Sequence, residues 1–411
     1  MVKLPDFLTP VIDAFHRQGA VCVVVGGFVR DSILGIDSKD IDIEIFNIDS
    51  YETMSEILKP FGSANLVGKS FGVLKMSLNS YEIDFSLPRL EKKVSRGHRG
   101  FEITLDPSLA FQEAAKRRDF TINAIGYNIQ TKTILDPYNG VKDLKNKTLS
   151  YVNEQTFIED PLRIFRALQF CARFRLQCSD ELIKSCCYIS DNHLVKELPK
   201  ERIYEEFTKL LTLAKEPSIG LKLLKTFHLM QYFPELLDLN NDFIYLDKMT
   251  KLLTDDPKLN LILMLSVLVF DIKTKERVRS FLERFVDEKL IVTEVLNFYA
   301  HKDSLAKLSA KKPTDYEITL LSTQVSIQYL LLINEARGVK YEKIKSRASN
   351  LHVLRSKPKS LLRGKDLIKA GLQPSPLFSS ILNRAYDAQL QGSFTTYEDA
   401  RKWLQNVCKT L

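Results

Sequence analysis

The sequence lacks the features of several common protein classes. It has six cysteines and six histidines in 411 residues, with no Cys-x-x-Cys pair and no zinc-ligand spacing. Its longest apolar run, residues 261–270, is far shorter than the roughly 20 residues that span a bilayer. The first residues show no apolar signal-peptide core. Since scattered thiols suit a reducing compartment, the sequence predicts a cytoplasmic protein with no membrane partner.

A surplus of acidic residues is also absent, because 59 Lys and Arg residues face 51 Asp and Glu residues and give a net charge of +8. This balance excludes an acidic partner mimic and permits a polyanionic partner such as RNA. One stretch alone has the same excess, since its nine basic residues face only Glu342: Lys340, Lys343, Lys345, Arg347, Arg355, Lys357, Lys359, Arg363 and Lys365. The stretch is either a solvated charged face or a contact for a phosphate backbone.

The spacing of apolar residues changes near Tyr151. Before it, the patterns predict two helices, four strands and a hairpin: helices at 5–18 and 28–34, strands at 21–25, 41–46, 72–78 and 81–87, and a hairpin of 124–128 with 133–135. After it, helical periodicity continues to the end, and no internal repeat is visible. The sequence therefore predicts an α+β N-terminal domain followed by an all-α remainder.

A Gly-Gly turn followed by an acidic strand forms the first candidate site. Gly26 and Gly27 lie between a predicted strand and a helix, where backbone N–H groups can approach a phosphate and Arg30 can clamp it. Asp40 and Asp42 lie two apart on a strand, so both carboxylates point to one face and suit Mg²⁺. Either piece alone fits an ordinary turn or a surface strand. Together, in this order, they predict metal-dependent phosphoryl or nucleotidyl transfer.

Two further groups are weaker candidates. Asp84 alternates with apolar residues on a predicted strand and is either a third catalytic carboxylate or an exposed acid. Residues 116–118 are three consecutive cations, which repel one another unless anions balance them. Arg118 is therefore a candidate contact for a nucleotide's ribose or phosphates, with Asp119 orienting it; the alternative is a basic cluster at a helix end.

A third candidate lies at the start of a predicted helix. Pro161 suits its first turn, with Asp160 at or near the N-cap. Asp160, Arg163 and Arg166 step by three residues and share one face. They offer either an acceptor and fixed donors to the edge of a base, or merely a capped helix with a local salt bridge.

In this order the motifs resemble those of the class II tRNA nucleotidyltransferases and bacterial poly(A) polymerases, within the DNA polymerase β-like superfamily. The matching segments cover residues 20 to about 210, and they are 26–31, 40–42, 117–124, 136–140 and 159–167. The resemblance implies a polymerase β-like nucleotidyltransferase head followed by an all-α neck, body and basic tRNA-binding tail. Its expected boundaries are 1–148, 149–215, 216–335 and 336–411.

The resemblance also implies an Mg²⁺-dependent enzyme that adds CCA to tRNA 3′ ends from CTP and ATP without a nucleic-acid template. Asp40 and Asp42 would be the catalytic, metal-binding carboxylates. Gly27 and Arg30 would hold the triphosphate, and Arg118 would reach the sugar.

Base selection would belong to the helix that begins near Asp160. Asp160 and Arg163 would bond to the base edges, and Arg166 would support the pocket. Where the family has a further arginine, this chain has Gln169, so the contact that this arginine would make to the nucleotide is open. Residues 197–207 resemble the helix that buttresses the selecting helix, although a charged surface helix would look the same.

The polar segment 89–112 takes the place of the family's flexible loop. Its presence favours CCA or A addition over CC-only addition, although it also fits an ordinary basic loop. An A-adding enzyme or poly(A) polymerase remains the close alternative. A non-catalytic RNA-binding protein is the alternative of another class, against which Asp40 and Asp42 argue. Protein partners are unknown from the sequence.

Overall fold

The computed structural model describes residues 2–67, 72–93, 101–239 and 242–409. The chain divides into two compact units, Met1–Pro234 and Glu235–Leu411. The head and the neck expected from the sequence thus fall in the first unit, together with the start of the expected body, and the boundaries expected at residues 148, 215 and 335 stay predictions. Every helix within the described ranges is too short or too polar to cross a bilayer.

Strands occur almost entirely in the first 150 residues. In the described part of the chain they are β1 Val21–Val25, β2 Asp40–Phe46, β3 Asn65–Val67, β4 Val73–Leu78, β5 Tyr81–Ser86, β6 Arg89–Lys93, β7 Phe101–Leu105, β8 Gly126–Asn128, β9 Thr133–Leu135, β10 Thr148–Leu149 and β11 Gln177–Cys178. The strands predicted around β1, β2, β4 and β5, and the hairpin of β8 and β9, are confirmed. The strands β3, β10 and β11 were not predicted because two or three residues are too few for a pattern. The strands β6 and β7 were not predicted because they lie in the polar segment 89–112, which was interpreted as a loop.

One seven-stranded sheet has the order β3-β4-β5-β2-β1-β8-β9. Its central strand pair, β2 with β5, is parallel, and the other neighbours are antiparallel. On β2 the residues Ile41, Ile43 and Ile45 are buried, which leaves Asp40 and Asp42 on the opposite face. Elsewhere β6 pairs with β7 as a hairpin, and β10 pairs in parallel with β11. This last pair places one strand inside the neck, which is otherwise helical.

Helices complete the first unit. They are α1 Thr9–Arg17, α2 Gly27–Leu34, α3 Tyr51–Leu58, α4 Phe111–Ala115, α5 Gly140–Asn146, α6 Glu154–Glu159, α7 Arg163–Phe174, α8 Asp180–Asp191, α9 Lys200–Leu213 and α10 Pro217–Thr226. The predicted helix at 5–18 is confirmed, with a 3₁₀ turn at Asp6–Leu8 before α1. The predicted helix at 28–34 is α2.

Helix α7 is an amphipathic element that packs against both α9 and α10. Its apolar face buries Ile164, Phe165 and Leu168, while Arg163 and Arg166 lie at the partly exposed side. Gly220 of α10 meets α7 at very short range, since a Cβ atom there would lie 2.5 Å from the carbonyl oxygen of Leu168. The crossing of α7 and α10 therefore requires glycine at this position.

The second unit is helical throughout its described residues, as the sequence predicts. Its helices are α11 Ile244–Met249, α12 Pro257–Leu268, α13 Lys275–Glu283, α14 Lys289–Ala300, α15 Ser304–Ser309, α16 Asp315–Gln324, α17 Ile327–Ala336, α18 Glu342–Asn350, α19 Gly364–Lys369, α20 Leu377–Leu390 and α21 Tyr397–Cys408. The last three helices share a small core formed by Leu362, Leu367, Ile381, Ala385, Phe394, Ala400 and Leu404.

Candidate active site

The Gly-Gly turn lies where β1 ends and α2 begins. Gly26 has φ 71° and ψ −131°, a backbone conformation that glycine adopts readily and other residues do not. A Cβ atom on Gly26 would lie 3.1 Å from Nη1 of Arg118 and 3.4 Å from Oδ2 of Asp42. The first N–H groups of α2, which begins at Gly27, have no partner within the helix. The turn, a cation and a carboxylate from three chain segments therefore converge.

Three carboxylates lie along the adjoining strands. Asp42 of β2 is in register with Asp84 of β5, so the two side chains point to the same face, and Asp40 lies two residues before Asp42. Asp84 is already paired, because its Oδ2 lies 2.7 Å from Nζ of Lys75 on β4. Asp40 and Asp42 thus share one face, as the sequence predicts, and Asp84 lies on the same face of the sheet.

Asp42 has the electrostatics of a cation ligand. Its side chain is exposed to solvent by surface area, yet the protein atoms around it desolvate the carboxylate and raise its pKa. Arg118 lowers that pKa, whereas Asp84 and Asp40 raise it further. A divalent cation at this position would relieve the repulsion between these carboxylates.

The donor set also indicates which cation fits. Carboxylate oxygens suit Mg²⁺, which needs only one or two of them because water and substrate phosphates complete its octahedral shell. Across the described ranges, no group of three or more His, Cys, Asp or Glu side chains could hold a metal on its own. Asp40 and Asp42 thus fit a Mg²⁺ ion shared with a nucleotide, and do not fit a closed protein cage.

Arg117 and Arg118 lie next to this carboxylate face. Glu44, fully buried two residues after Asp42, accepts a hydrogen bond from Nη2 of Arg117 at 3.1 Å. Nη1 of Arg117 also reaches Glu91 on β6, at 3.4 Å. Burial lowers the pKa of Arg118, although Glu44 raises it. Anions therefore balance the cation cluster, as its charge requires, but the main anion, Glu44, was not foreseen because its pattern matches an ordinary strand acid.

Arg30, expected to hold the triphosphate, is buried on α2. Its Nε and Nη2 lie 2.8 Å from Oδ1 of Asp31, and its Nη1 donates to Oδ1 of Asn123 at 2.5 Å. Its guanidinium lies over the rings of Phe170 and Phe174 of α7, at 5.2 and 4.5 Å. Arg30 thus links α2 to α7 in this structure, and direct phosphate contact by its side chain stays a prediction.

Asp119 is a buried junction. Its Oδ1 accepts hydrogen bonds from the backbone N–H of Phe120 and from Nδ2 of Asn123, and its Oδ2 accepts from Arg166 at 2.6–2.7 Å. Burial alone would raise the pKa of Asp119, but Arg166 and Arg163 outweigh it and lower that pKa. Arg166 also faces Glu206 of α9 at 3.8 Å. The arginine expected to support the pocket is therefore held by two buried acids.

Asp160 and Arg163 are both fixed by the protein around them. Helix α7 begins at Arg163, and Asp160 precedes it in an extended conformation, with its carboxylate accepting from the N–H of Leu162. The guanidinium of Arg163 donates to the carbonyl oxygens of Thr156 and Arg117, at 2.9 and 2.7 Å. Its orientation is set by backbone, which suits a group that selects a base by its edge.

Helix α9 supports the start of α7. The guanidinium of Arg202 lies 3.3–3.4 Å from the carboxylate of Asp160, in line with the buttressing contact expected for residues 197–207. Gln169 is only 2% exposed, so it presents no group at the surface where a family arginine was expected. Residues 94–100 of the expected flexible loop lie outside the described residues, and the described parts of that segment include the hairpin β6–β7.

Comparisons with known proteins indicate which families and folds the chain resembles. Residues 22–150 match the family model described as the poly A polymerase head domain, and residues 183–239 match one described as a probable RNA and SrmB- binding site of polymerase A. The Multifunctional CCA protein of Xylella fastidiosa strain M23 is 35% identical over 217 residues, which are 52% of this chain and 50% of that protein. The chain thus spans about half the length of the curated relatives it matches.

Solved structures extend the likeness to the whole chain. The Bacillus stearothermophilus CCA-adding enzyme in complex with CTP superposes with a TM-score of 0.75 at 20% identity, covering 99% of each chain. The Thermotoga maritima CCA-adding enzyme complexed with tRNA_CCA gives 0.67 at 18% identity, covering 99% of this chain and 97% of that one. The chain therefore has the fold of the CCA-adding enzymes, and its residues 22–150 match the poly A polymerase head domain, in agreement with the resemblance of its motifs.

Proposed function

We propose that this protein is an Mg²⁺-dependent nucleotidyltransferase that adds CCA to tRNA 3′ ends from CTP and ATP without a nucleic-acid template. One observation carries the proposal. The position of the missing Cβ atom of Gly26 lies within 3.4 Å of both the Asp42 carboxylate and the Arg118 guanidinium. A phosphate-binding turn, a metal-ligating acid and a permanent cation at one point are the parts that nucleotidyl transfer requires.

The residues of this site divide the chemistry among them. The N–H groups at Gly27 bind the triphosphate, and the cation of Arg118 orients the sugar and neutralises charge. Asp40 and Asp42 would hold Mg²⁺, which would polarise the attacking and leaving oxygens. A carboxylate oxygen of this pair accepts the proton of the tRNA 3′-hydroxyl. The 3′-hydroxyl oxygen attacks the α-phosphorus, and pyrophosphate leaves. Catalysis is then mainly positioning and charge neutralisation.

Nucleotide choice is assigned to the start of α7. Two backbone carbonyls fix the guanidinium plane of Arg163, and Arg202 holds the carboxylate of Asp160, so neither group turns freely. This rigidity supports a protein template for CTP and ATP, with Arg166 in support. Replacing Arg163 with Ala should change the CTP/ATP preference more than the affinity for tRNA; an unchanged preference refutes the template role.

The basic tail is the proposed contact for the tRNA acceptor arm. Lys357, Lys359 and Arg363 line an open groove of about 490 Å³ together with Tyr386. Other cations of the stretch are paired within the protein, such as Arg347 with Asp315. Binding at this groove should be independent of sequence and should weaken steeply as salt rises. A reducing cytoplasm suits the six cysteines, which are all free in this structure.

Product lengths test the proposal. The protein is incubated with tRNAs that end before CCA, after the first C and after CC, with CTP alone, ATP alone or both. Stepwise completion to CCA supports the proposal, whereas A-only products indicate an A-adding enzyme and long A tails indicate a poly(A) polymerase. No extension of any tRNA indicates a non-catalytic RNA-binding protein. Replacing Asp40 or Asp42 with Ala should abolish extension and leave the fold intact, and full activity in either variant ends the metal assignment.

A further inference from the structure

A buried asparagine joins the two halves of the nucleotide site. Asn123, 6% exposed, accepts a hydrogen bond from Nη1 of Arg30 at 2.5 Å and donates one to Oδ1 of Asp119 at 2.9 Å. Asp119 in turn binds Arg166 of α7. The chain Arg30–Asn123–Asp119–Arg166 thus runs from the helix of the phosphate turn to the helix proposed to select the base.

The chemistry of the two partners requires an amide at this position. A guanidinium only donates and an ionised carboxylate only accepts, so the residue between them needs one acceptor and one donor. Asn123 has both on one short side chain, and its partners fix which atom points to which. An aspartate here has no donor for Asp119, and an aliphatic side chain has neither group. Both Arg30 and Asp119 are under 10% exposed, so water cannot replace a missing partner freely.

The segment that carries Asn123 is itself held rigidly. Asn123 is the last residue of a 3₁₀ turn that begins at Thr121. The N–H of Thr121 donates to the carbonyl oxygen of Ser150, and the hydroxyl of Thr121 donates to Asp143. Gly140 packs directly on this turn, because a Cβ atom there would lie 2.2 Å from the carbonyl oxygen of Thr121. The amide therefore acts from a fixed platform.

We propose that Asn123 is a positioning residue that sets the separation between the triphosphate-binding turn and the nucleotide-selecting helix. A single nucleotide must reach both places at once, so the spacing between α2 and α7 decides whether its α-phosphorus lies against Asp42 while its base meets Arg163. Without the amide, the groups that bind the two ends of the nucleotide are still present, but the distance between α2 and α7 no longer matches the length of the nucleotide. This inference rests on the proposed function.

The test compares Asn123→Ala, Asn123→Asp and the control Asn334→Ala. Asn334 is a matched control because it is also 6% exposed and its amide donates one hydrogen bond, to the carbonyl oxygen of Leu330 in the second unit. Single additions of CTP and ATP to the appropriate tRNAs give kcat and KM for each nucleotide and for tRNA. Each variant is assayed at a temperature where its circular dichroism spectrum matches that of the unchanged protein.

For Asn123→Ala we expect kcat/KM to fall about 10- to 100-fold for both nucleotides, with the KM for tRNA unchanged, because hydrogen bonds to charged groups are lost on both sides. Asn123→Asp keeps the shape and the contact to Arg30 but loses the donor to Asp119, so it should be equally impaired. Asn334→Ala should keep its kcat/KM. Normal kinetics of Asn123→Asp overturn the inference, since the contact to Arg30 alone would then suffice. Normal kinetics of Asn123→Ala, or a loss confined to tRNA affinity, overturn it as well.

Equilibrium binding of CTP separates this inference from the proposed function. If the unchanged protein extends no tRNA, the proposed function fails, and the inference is then judged on CTP affinity alone. A CTP affinity at least tenfold weaker in Asn123→Ala, with Asn334→Ala unchanged, still supports the bridge. Equal affinity of all three proteins overturns it.

Discussion

The sharpest test of the site is a single methyl group at Gly26. In Gly26→Ala the new Cβ atom would lie 3.1 Å from Nη1 of Arg118 and 3.4 Å from Oδ2 of Asp42, in the space where we place the phosphates. The backbone angles of Gly26 are also unfavourable for alanine. The substitution therefore has two effects, a cost in stability and a cost in activity, which need to be separated.

A variant of Gly35, at the other end of α2, separates the cost in stability from the cost in activity. The φ of Gly35, 70°, is also positive, but its ψ of 28° places it in the left-handed helical region, and no atom lies within 4 Å of its missing Cβ. We expect Gly35→Ala to lower the free energy of unfolding by about 1–2 kcal/mol, from backbone strain alone, and to leave kcat unchanged. Gly26→Ala should cost about 1–3 kcal/mol for its own strained backbone.

The activities of the two variants should differ far more than their stabilities. Moving Arg118 or Asp42 by part of an ångström disturbs the alignment of the reacting groups, and a 1 Å error can cost about 100-fold. We therefore expect Gly26→Ala to lower kcat/KM for CTP about 10- to 100-fold. Thermal denaturation monitored by circular dichroism and single-nucleotide addition are measured on both variants. If Gly26→Ala is as active as Gly35→Ala, the phosphates do not bind at this turn.

Three other predictions concern separate parts of the chain. Burial raises the pKa of the Cys22 thiol to about 12, so it should resist alkylation at pH 8 in the folded protein and react only after unfolding. Asp366 is buried, which would raise its pKa, but hydrogen bonds from Tyr397 and a backbone N–H outweigh this and lower it. The ionised Asp366 carboxylate therefore stabilises the folded protein above its unfolded pKa near 4, and this stabilisation is lost as the pH falls further. The melting temperatures of the protein and its Asp366→Asn variant should then differ most near neutrality and converge in acid. Replacing Arg202 with Ala removes its contact to the carboxylate of Asp160 and should weaken the CTP/ATP preference while leaving tRNA affinity unchanged. Competition assays with both nucleotides measure that preference, and an unaltered preference means that α9 does not hold Asp160 in place.

The sequence was most informative where chemistry and local periodicity coincide. The strand at Asp40 and Asp42 was predictable because alternating burial and the turn at Gly26 and Gly27 are both local patterns. The run of cations made Arg118 a candidate nucleotide contact, but no spacing in the sequence indicates that Arg118 approaches this turn, because the two segments lie far apart along the chain.

The roles that escaped prediction depend on contacts across long stretches of chain. Arg30 carries a motif that indicates phosphate binding, yet its side chain is bound by Asn123, 93 positions away. Glu44 has the pattern of an ordinary strand acid, and only the fold brings it to Arg117, 73 positions away. Periodicity describes which face a side chain occupies, and it does not state which other segment will cover that face.

The contact between Gly220 and the carbonyl oxygen of Leu168 has a mechanical consequence. Because there is no room for even one methyl group between the two helices, α7 cannot slide past α10 without first separating from it. Any shift of Arg163 that accommodates a larger base must then move the two helices as one rigid pair. The rearrangement that follows a change of nucleotide would begin in the turns on either side of that pair, and the register between the helices would stay the same.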